Sequence, residues 1–509
     1  MDHGGLPVLA LAAAVLALVF LATRPLKRGD YPLPPGPRPL PVLGNMFDIP
    51  RAKPWLQFTR WAEIYGPVFT LTTPNDRIIV VNDLETISEG LEKREFADRP
   101  HLVVVSELMG FEHQPVFMHD GPDQRMTRKL NRQALNAHSL KAFTDVKESV
   151  AARCILELAK DEGRGFSSEI RLAIVRWIMK MVYGIDIHTL DDPINSQTEV
   201  VIAAFIDALT PGRYLAETLP FLKYIPAWMP FAEFKRIALH TRRGMDFMCE
   251  DPFARVKAAL NAATAVPSLT SNLFERFHEG SFPGATEYLL SRVTGNMYGA
   301  GVGTTFILSA TTNRTMQAAA YAEILRVVGT ERLPKLEDRQ SMPYVCAVVK
   351  ETLRWYPAGP LGVSRRAIQD SIIGGYFIPK GSTIMPNLWT ISRQPGDPKY
   401  PADDFHPERF LSSTPPPDPA SYVFGLGRRN CVGQTAAEHF LFVMIASLLA
   451  SFEILPPLDE HGKEIPPVPA WIGGVFTEPE EFRCRFVPRN SELLQALAAR
   501  VENSKETHD

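Results

Sequence analysis

The sequence predicts a mainly α-helical domain with a minor β portion, an α+β fold, carried behind one N-terminal transmembrane helix. Three observations predict it. From Gly4 to Thr23 no residue is charged, and a helix of that length spans about 30 Å, the hydrocarbon thickness of a bilayer. From about residue 84 to 355 the pattern is mostly helical, with short Pro/Gly breaks at 210–213, 225–230 and 282–284. After Pro357, Gly, Pro and β-branched residues alternate through "LGVSRRAIQDSIIGGYFIPKGSTIMP", the texture of short strands.

Residues 1–28 form the expected membrane anchor. Arg24, Lys27 and Arg28 follow the apolar run, which keeps the downstream chain on the cytosolic side. A cleaved secretory signal would place basic residues ahead of the run. Residues 29–45, "YPLPPGPRPLPVLGN" from Tyr31 onward, are a proline-rich linker expected to be a stiff extended spacer. Residues 46–509 form the remaining domain. "KPWLQFTRWAEIYG" sets Trp55, Phe58, Trp61 and Ala62 at helical spacing, and "PVFTLTTPNDRIIVVND" reads as two strands around a turn at 74–76. "AEHFLFVMIASLLASF" reads as helix, "FRCRFVPR" as a final strand, and the polar tail "ARVENSKETHD" as frayed.

The 509 residues carry a formal net charge of -3, with 45% apolar and 22% charged residues. That balance is ordinary for a globular protein and argues against nucleic acid as the main partner. Five scattered cysteines with no CxxC pair fit a reducing compartment. Four of them read as small buried hydrophobes. Cys431 differs, because it sits in "FGLGRRNCVG". Gly427 and Gly433 permit a tight loop whose N–H groups point at the sulfur, and Arg428 and Arg429 would favour the thiolate. A single thiolate suits a metal whose other ligands belong to a cofactor. Haem is such a group, and an axial cysteine favours O–O cleavage on it.

Phe424, Gly427, Arg429, Cys431 and Gly433 match an FxxGxRxCxG loop, and on these residues the chain resembles the cytochrome P450 haem-thiolate family. Further elements follow the family order over essentially the whole chain, in the manner of the fungal microsomal class of secondary metabolism. "ETLR" and "PERF" supply Glu351, Arg354 and Arg409, which the resemblance makes a buried ion triad behind the haem. "YGAGVGTT" resembles the segment of the central helix over the haem, with Thr304 as the threonine that handles oxygen and protons. Gly303 stands where the family has an acid, and the central helix is shorter than in related fungal enzymes by about two turns. "GPDQRMTRKL" keeps Arg128 as a propionate partner but has Gln124 where a tryptophan is usual. Arg365 and Arg429 are the other propionate candidates, and Phe424, Gly427 and Gly433 shape the cofactor loop. Family position suggests Val104, Ala300, Leu361, Val363 and Val475 for the substrate pocket. In "YIPAWMPF", Tyr224, Ile225, Trp228, Met229 and Phe231 are either a membrane-dipping segment or ordinary core packing.

The resemblance implies a monooxygenase that oxidises a lipophilic small molecule with O2. Its cofactor would be heme b with an axial cysteine thiolate, Cys431 being the iron ligand. Electrons would come from NADPH through NADPH–cytochrome P450 reductase, docking near Lys129 and Arg132, and the family also admits cytochrome b5 as donor. The implied location is the endoplasmic reticulum membrane, with the catalytic domain cytosolic. Two alternatives stand beside this reading. Gly303 admits a haem-thiolate isomerase or dehydratase that needs no NADPH. Gly303 and the short central helix together admit a non-catalytic haem-binding protein.

Overall fold

A computed structural model describes residues 27–28, 31–297, 304–394 and 396–506. The expected membrane helix, Ala300 and Gly303 lie outside the described residues. The mainly helical reading with minor sheet holds. Helix α1 (Pro54–Tyr65) starts on a proline and buries Trp55, Phe58 and Trp61. Strands β1 (Val68–Thr72) and β2 (Arg77–Val81) follow as an antiparallel hairpin. Helices α2 (Pro122–Ala134), α3 (Pro193–Ala208) and α4 (Glu233–Asn261) build the helical side. Helix α5 (Glu287–Met297) precedes α6 (Thr305–Thr312), α7 (Arg314–Val327) and α8 (Pro343–Trp355). The chain then returns to sheet with β3 (Arg365–Arg366) and β4 (Thr383–Pro386). Helix α9 (Gln434–Ser451) and the hairpin of β5 (Trp471–Gly473) and β6 (Thr477–Pro479) come last among the elements near the site.

Among the described residues the largest sheet has four strands in the order β1–β2–β4–β3. β4 joins β2 in parallel, with Ile79 opposite Ile384, and β3 pairs antiparallel on the outer edge, with Arg365 opposite Ile384. One face of α1 and this sheet share a core of Trp55, Phe58, Trp61, Phe69, Leu71 and Trp389. The main core lies among the helices, where α9 is buried on nearly every side. That explains its unbroken apolar run, since a helix without a polar face belongs inside. On α6, Phe306, Ile307, Leu308 and Ala310 are all buried in the main core.

Three expectations are corrected. The proline-rich stretch does not stand free: Pro35 O accepts from Thr70 N at 2.7 Å and Asn45 N donates to Thr72 O at 2.6 Å. A Cβ on Gly36 would meet Thr70 O at 2.0 Å, so the backbones touch there. The polar tail is not frayed as far as Glu506. It forms the helix Ser491–Glu506, because Leu493 and Leu497, one turn apart, are both buried. The core-packing alternative for "YIPAWMPF" also fails. Trp228 is 81% and Phe231 95% exposed, with Tyr224 and Met229 exposed beside them and Ile225 half-buried.

The ion triad forms as expected and sits deep in the fold. Glu351 and Arg354 share one face of α8, and Arg354 Nε donates to Glu351 Oε2 at 2.7 Å while Nη2 donates to Oε1 at 2.9 Å. Arg409 Nε reaches Oε1 at 3.0 Å, and His406 N adds a fourth donor at 2.7 Å. The remaining guanidinium N–H groups go to the carbonyls of Ser392, Tyr400, Pro401, Ala402 and Asp404. The N-terminus of α8 is held by Glu323 of α7, which accepts from Tyr344 N and Val345 N at 3.1 and 2.9 Å. One carboxylate therefore ties α8 to the 400–409 strap that precedes the cysteine loop. Removing its charge leaves two buried cations facing each other. Glu351→Gln is expected to lose about 3–5 kcal/mol of stability, read as a lowered denaturation midpoint; a midpoint equal to the parent's would contradict this.

Candidate functional site

The cysteine loop is built by backbone constraints before any cofactor is considered. Cys431 N donates to Phe424 O at 2.6 Å, closing the loop. Gly427 has φ +57, and a Cβ there would lie 2.3 Å from Leu91 O, so only glycine fits. Gly433 has φ -84, and an added Cβ would make only an ordinary contact, 3.7 Å from Cys431 Sγ. The loop needs glycine at 427, and the backbone gives no such reason at 433. Val423 and Leu426 pack on the buried cluster of Ile87, Leu91, Phe96 and Ile384, which seats the loop on the sheet side.

Cys431 is exposed at its surface, yet it sits in a recess dense enough that burial raises its thiol pKa. The N–H groups of Gly433 and Gln434 and the charge of Arg128 pull the other way. The stabilising cation is therefore Arg128 of α2. Arg428 is exposed, and Arg429 donates to the backbone carbonyls of Ala97, Pro115 and Met118. The other four cysteines read correctly as packing residues: Cys154, Cys249 and Cys484 are buried, Cys346 is half-buried, and burial raises all four thiols.

Around the loop stands a cluster of four arginines, Arg99, Arg128, Arg365 and Arg429. Arg429 is committed to the backbone: Nε donates to Ala97 O at 2.7 Å, Nη2 to Met118 O at 2.8 Å and Nη1 to Pro115 O at 3.5 Å. It clamps the 97–118 segment to the cysteine loop, which makes it a weaker propionate partner than expected. Arg99 behaves alike, donating to Val116 O at 2.8 Å, Val363 O at 2.8 Å and Ser364 O at 2.7 Å. Arg128 donates to both the carbonyl and the side-chain oxygen of Asn430, and Arg365 Nη2 donates to Leu426 O at 2.6 Å. Arg128 Nε and Arg365 Nη1 are buried with no partner.

Burial together with the neighbouring guanidiniums pushes Arg365 down to about 9 and Arg128 down to about 10. Burial and the same neighbours push Arg99 down as well, with Asp98 opposing. Asp98 and Asp120 supply the nearby negative charge for Arg429, but Asp98 is already engaged by His119 and by Asp120 N, both at 2.9 Å. Orphaned donors and unbalanced positive charge beside a recessed sulfur fit a bound group that carries carboxylates and a thiophilic metal. The residues present thus fit haem.

Among the other expected site residues, Gln124 is buried one turn before Arg128 on α2, and Phe424 is half-buried with its carbonyl on Cys431 N. Thr304 is half-buried at the start of α6, its carbonyl accepting from Leu308 N at 3.1 Å. Four of the five pocket candidates lie among the described residues. Val104 is fully buried, and Leu361 belongs to the core of α1 and the sheet. Val363 is half-buried beside Arg99, and Val475 is half-buried in the turn between β5 and β6. Two residues of the site escaped sequence reasoning. Arg99 is one cation among many, and only its spacing from Cys431 in the folded chain gives it meaning. Asp98, paired with His119, had no signal at all.

Comparison with known proteins agrees with this geometry. The chain is 32% identical over 499 residues to cytochrome P450 monooxygenase claR of Ampulloclitocybe clavipes, covering 96% of this chain and 92% of the relative. It is 34% identical over 503 residues to cytochrome P450 monooxygenase 208 of Postia placenta, covering 96% and 97%. It is likewise 34% identical over 515 residues to cytochrome P450 monooxygenase COX1 of Coprinopsis cinerea, covering 96% and 98%. The family profile described as Cytochrome P450 matches residues 34–486. With the thiol recess, the arginine cluster and the Glu351 triad in place, the chain belongs to the cytochrome P450 family.

Proposed function

We propose that this chain is a membrane-anchored haem-thiolate monooxygenase that oxidises a lipophilic small molecule of fungal secondary metabolism. It uses O2 and electrons from NADPH delivered by NADPH–cytochrome P450 reductase, at the endoplasmic reticulum membrane. The observation that carries the reading is the Cys431 thiol beside Arg128 and Arg365, each with a buried N–H donor that has no partner. The family assignment and the fungal relatives support it.

Cys431 is the metal ligand in this reading, and heme b, when bound, supplies the one-electron and oxygen chemistry. In the net reaction one oxygen atom enters a C–H bond and the other leaves as water, consuming two electrons and two protons. The chain's own residues do the rest. The N–H groups of Gly433 and Gln434 spread the negative charge of the sulfur. Arg128 and Arg365 bind the carboxylates, and Arg429 and Arg99 hold the loops that carry them. Thr304 supplies a hydroxyl that holds and passes a proton. Gly303 has no carboxyl to share that task, so solvent supplies the proton.

The exposed Tyr224, Trp228, Met229 and Phe231 suit insertion at a bilayer surface. Val42, Leu43 and Phe47 are exposed as well, and Thr218 Oγ1, ahead of the aromatic segment, reaches Met46 Sδ at 3.8 Å. Together they would rest the domain on the lipid beside the anchor. Arg125, Lys129 and Arg132 are exposed along α2, and Arg428 on the cysteine loop, a basic face suited to an acidic reductase surface.

Three outcomes test this function. Cys431→Ser should abolish the thiolate-type carbon monoxide difference spectrum, and a spectrum like the parent's would reject the assignment. Arg365→Gln and Arg128→Gln should each weaken haem retention by about 10–100-fold, since a charge-assisted hydrogen bond contributes about 1.5–3 kcal/mol. Haem transfer to apomyoglobin measures this. Thr304→Ala should raise the peroxide released per product formed, and unaltered coupling would remove Thr304 from proton handling.

A further inference from the structure

Asp98 is an acid set against the arginine cluster. It precedes Arg99 in the chain, and its charge acts on both Arg99 and Arg429. Arg99 in turn lies in the field of Arg365, Arg429 and Arg128, so a charge at residue 98 is felt across the cluster. The backbone fixes Asp98 there. Arg366 N donates to Asp98 O at 2.9 Å, in a bridge to β3, the strand that carries Arg365. The carboxylate is tied as well: Asp98 Oδ1 accepts from Asp120 N and from His119 Nδ1, both at 2.9 Å. Burial would raise this acid, but the bonds from His119 and from the N–H groups of Asp120 and Arg99 outweigh it and hold Asp98 down to about 2. Asp98 is therefore a standing negative charge at neutral pH, and an ionised carboxylate makes Nδ1 the donor.

His119 differs from the arginines in that it changes charge near neutral pH. Its side chain is 42% exposed, so the ring exchanges protons with solvent. Asp98, Glu112 and Arg366 act on it by charge. His101 stacks on it, with ring centroids 6.1 Å apart and planes at 23°, and His101 Nε2 lies 3.5 Å from Glu107 Oε2. Asp120, next in the chain, lies 3.8 Å from Arg125. With His119 charged, its pair with Asp98 is neutral overall, and the cluster keeps its attraction for carboxylates. With His119 neutral, the Asp98 charge stands uncompensated beside Arg99 and Arg429 and opposes a carboxylate bound there.

We propose that His119 is a positioning residue for the cofactor: its charge on Asp98 sets how strongly the arginine cluster holds the haem carboxylates, and the hold weakens when the ring loses its proton. The cofactor end of this inference rests on the haem reading above, whereas the Asp98–His119 pair is read from the protein alone. His119 acts through Asp98 and the arginines rather than on the cofactor. The bond from Asp98 raises the ring above its ordinary value, against burial. The charged ring therefore contributes fully below that ordinary value, about 6.5, and its contribution is lost as pH climbs through the raised one. By linkage the converse holds, and carboxylates in the recess favour the charged ring.

The test follows haem transfer from full-length, haem-loaded protein to apomyoglobin at about pH 6 and about pH 9. Each variant is read as a ratio to the parent at the same pH, so that other titrating groups cancel. His119→Gln keeps a donor for Asp98 and removes the charge. It should lose haem about fivefold faster than the parent at the lower pH and within about 1.5-fold of it at the higher. His119→Arg stays charged throughout. It should match the parent at the lower pH and retain haem about fivefold longer at the higher. In an Asp98→Asn background, His119→Gln should alter haem loss by less than about 1.5-fold at either pH, because the acid it answers is gone. A ring that served only to fill space would give the same ratio at both pH values, and that result overturns the inference. An undiminished effect of His119→Gln without Asp98 overturns it too. If His119→Gln does not fold, His119→Arg decides alone: retention no better than the parent's at the higher pH overturns the inference. Parent protein purified without haem would overturn the haem reading itself, an outcome distinct from haem bound with ratios indifferent to pH.

Discussion

Buried positive charge is the constraint on which this structure turns. It is met in two different ways. In the triad, Glu351 answers Arg354 and Arg409 directly, and backbone carbonyls take up the remaining N–H groups. That arrangement is complete within the protein, and it locks α8 to the strap before the cysteine loop. In the cluster of Arg99, Arg128, Arg365 and Arg429 the answer is incomplete. Asp98 is already engaged by His119, and donors on Arg128 and Arg365 have no partner. A fold that satisfies the first group so fully has no physical reason to leave the second open, unless an anion arrives there. The cost of the open cluster is the structural signature of a cofactor with carboxylates.

The two groups also divide the labour of placing Cys431. The triad fixes where the strap 400–409 runs, and the committed arginines fix what lies against the loop. Arg429 draws the carbonyls of Ala97 and Met118 onto the cysteine loop, and Arg99 draws Val116, Val363 and Ser364 together. Those segments carry the edge strand β3, and hence Arg365, to the same place. The sulfur is thus positioned by a chain of charged hydrogen bonds to backbone, which is stiffer than apolar packing because each bond has a direction.

Much of this was legible in the sequence where chemistry is local. Glu351 and Arg354 lie three residues apart, so one helical face must carry both, and "FGLGRRNCVG" holds its glycine requirement at Gly427 within a few residues. What was not legible depends on distant partners. Arg99 and Asp98 look like ordinary surface charges until folding brings them 332 residues in sequence toward the cysteine loop, the separation that Arg429 bridges to Ala97. Arg429 itself fitted a familiar motif, but which of its donors are spent on carbonyls is decided by the 97–118 segment. The pocket positions carry no local signal: Leu361 rests on resemblance alone, and its apolar character serves the core with Trp55 and Trp389 equally well. The tail helix was a missed local signal, since Leu493 and Leu497 stand one turn apart.

The exposed aromatic segment and the buried turn beneath it pose the last question of cause. A soluble domain gains nothing by exposing Trp228 and Phe231 while placing ion pairs under the adjacent 215–224 segment. At a bilayer the same arrangement is favourable. Apolar side chains leave water for lipid, while the Glu217 carboxylate is hydrogen-bonded to backbone N–H and the partly exposed Glu107 is paired with Lys223. Lipid contact would then act on the outer segment, whose grip on the 103–108 turn is polar and directional. A polar grip holds in one geometry and weakens steeply away from it, whereas apolar burial would yield gradually.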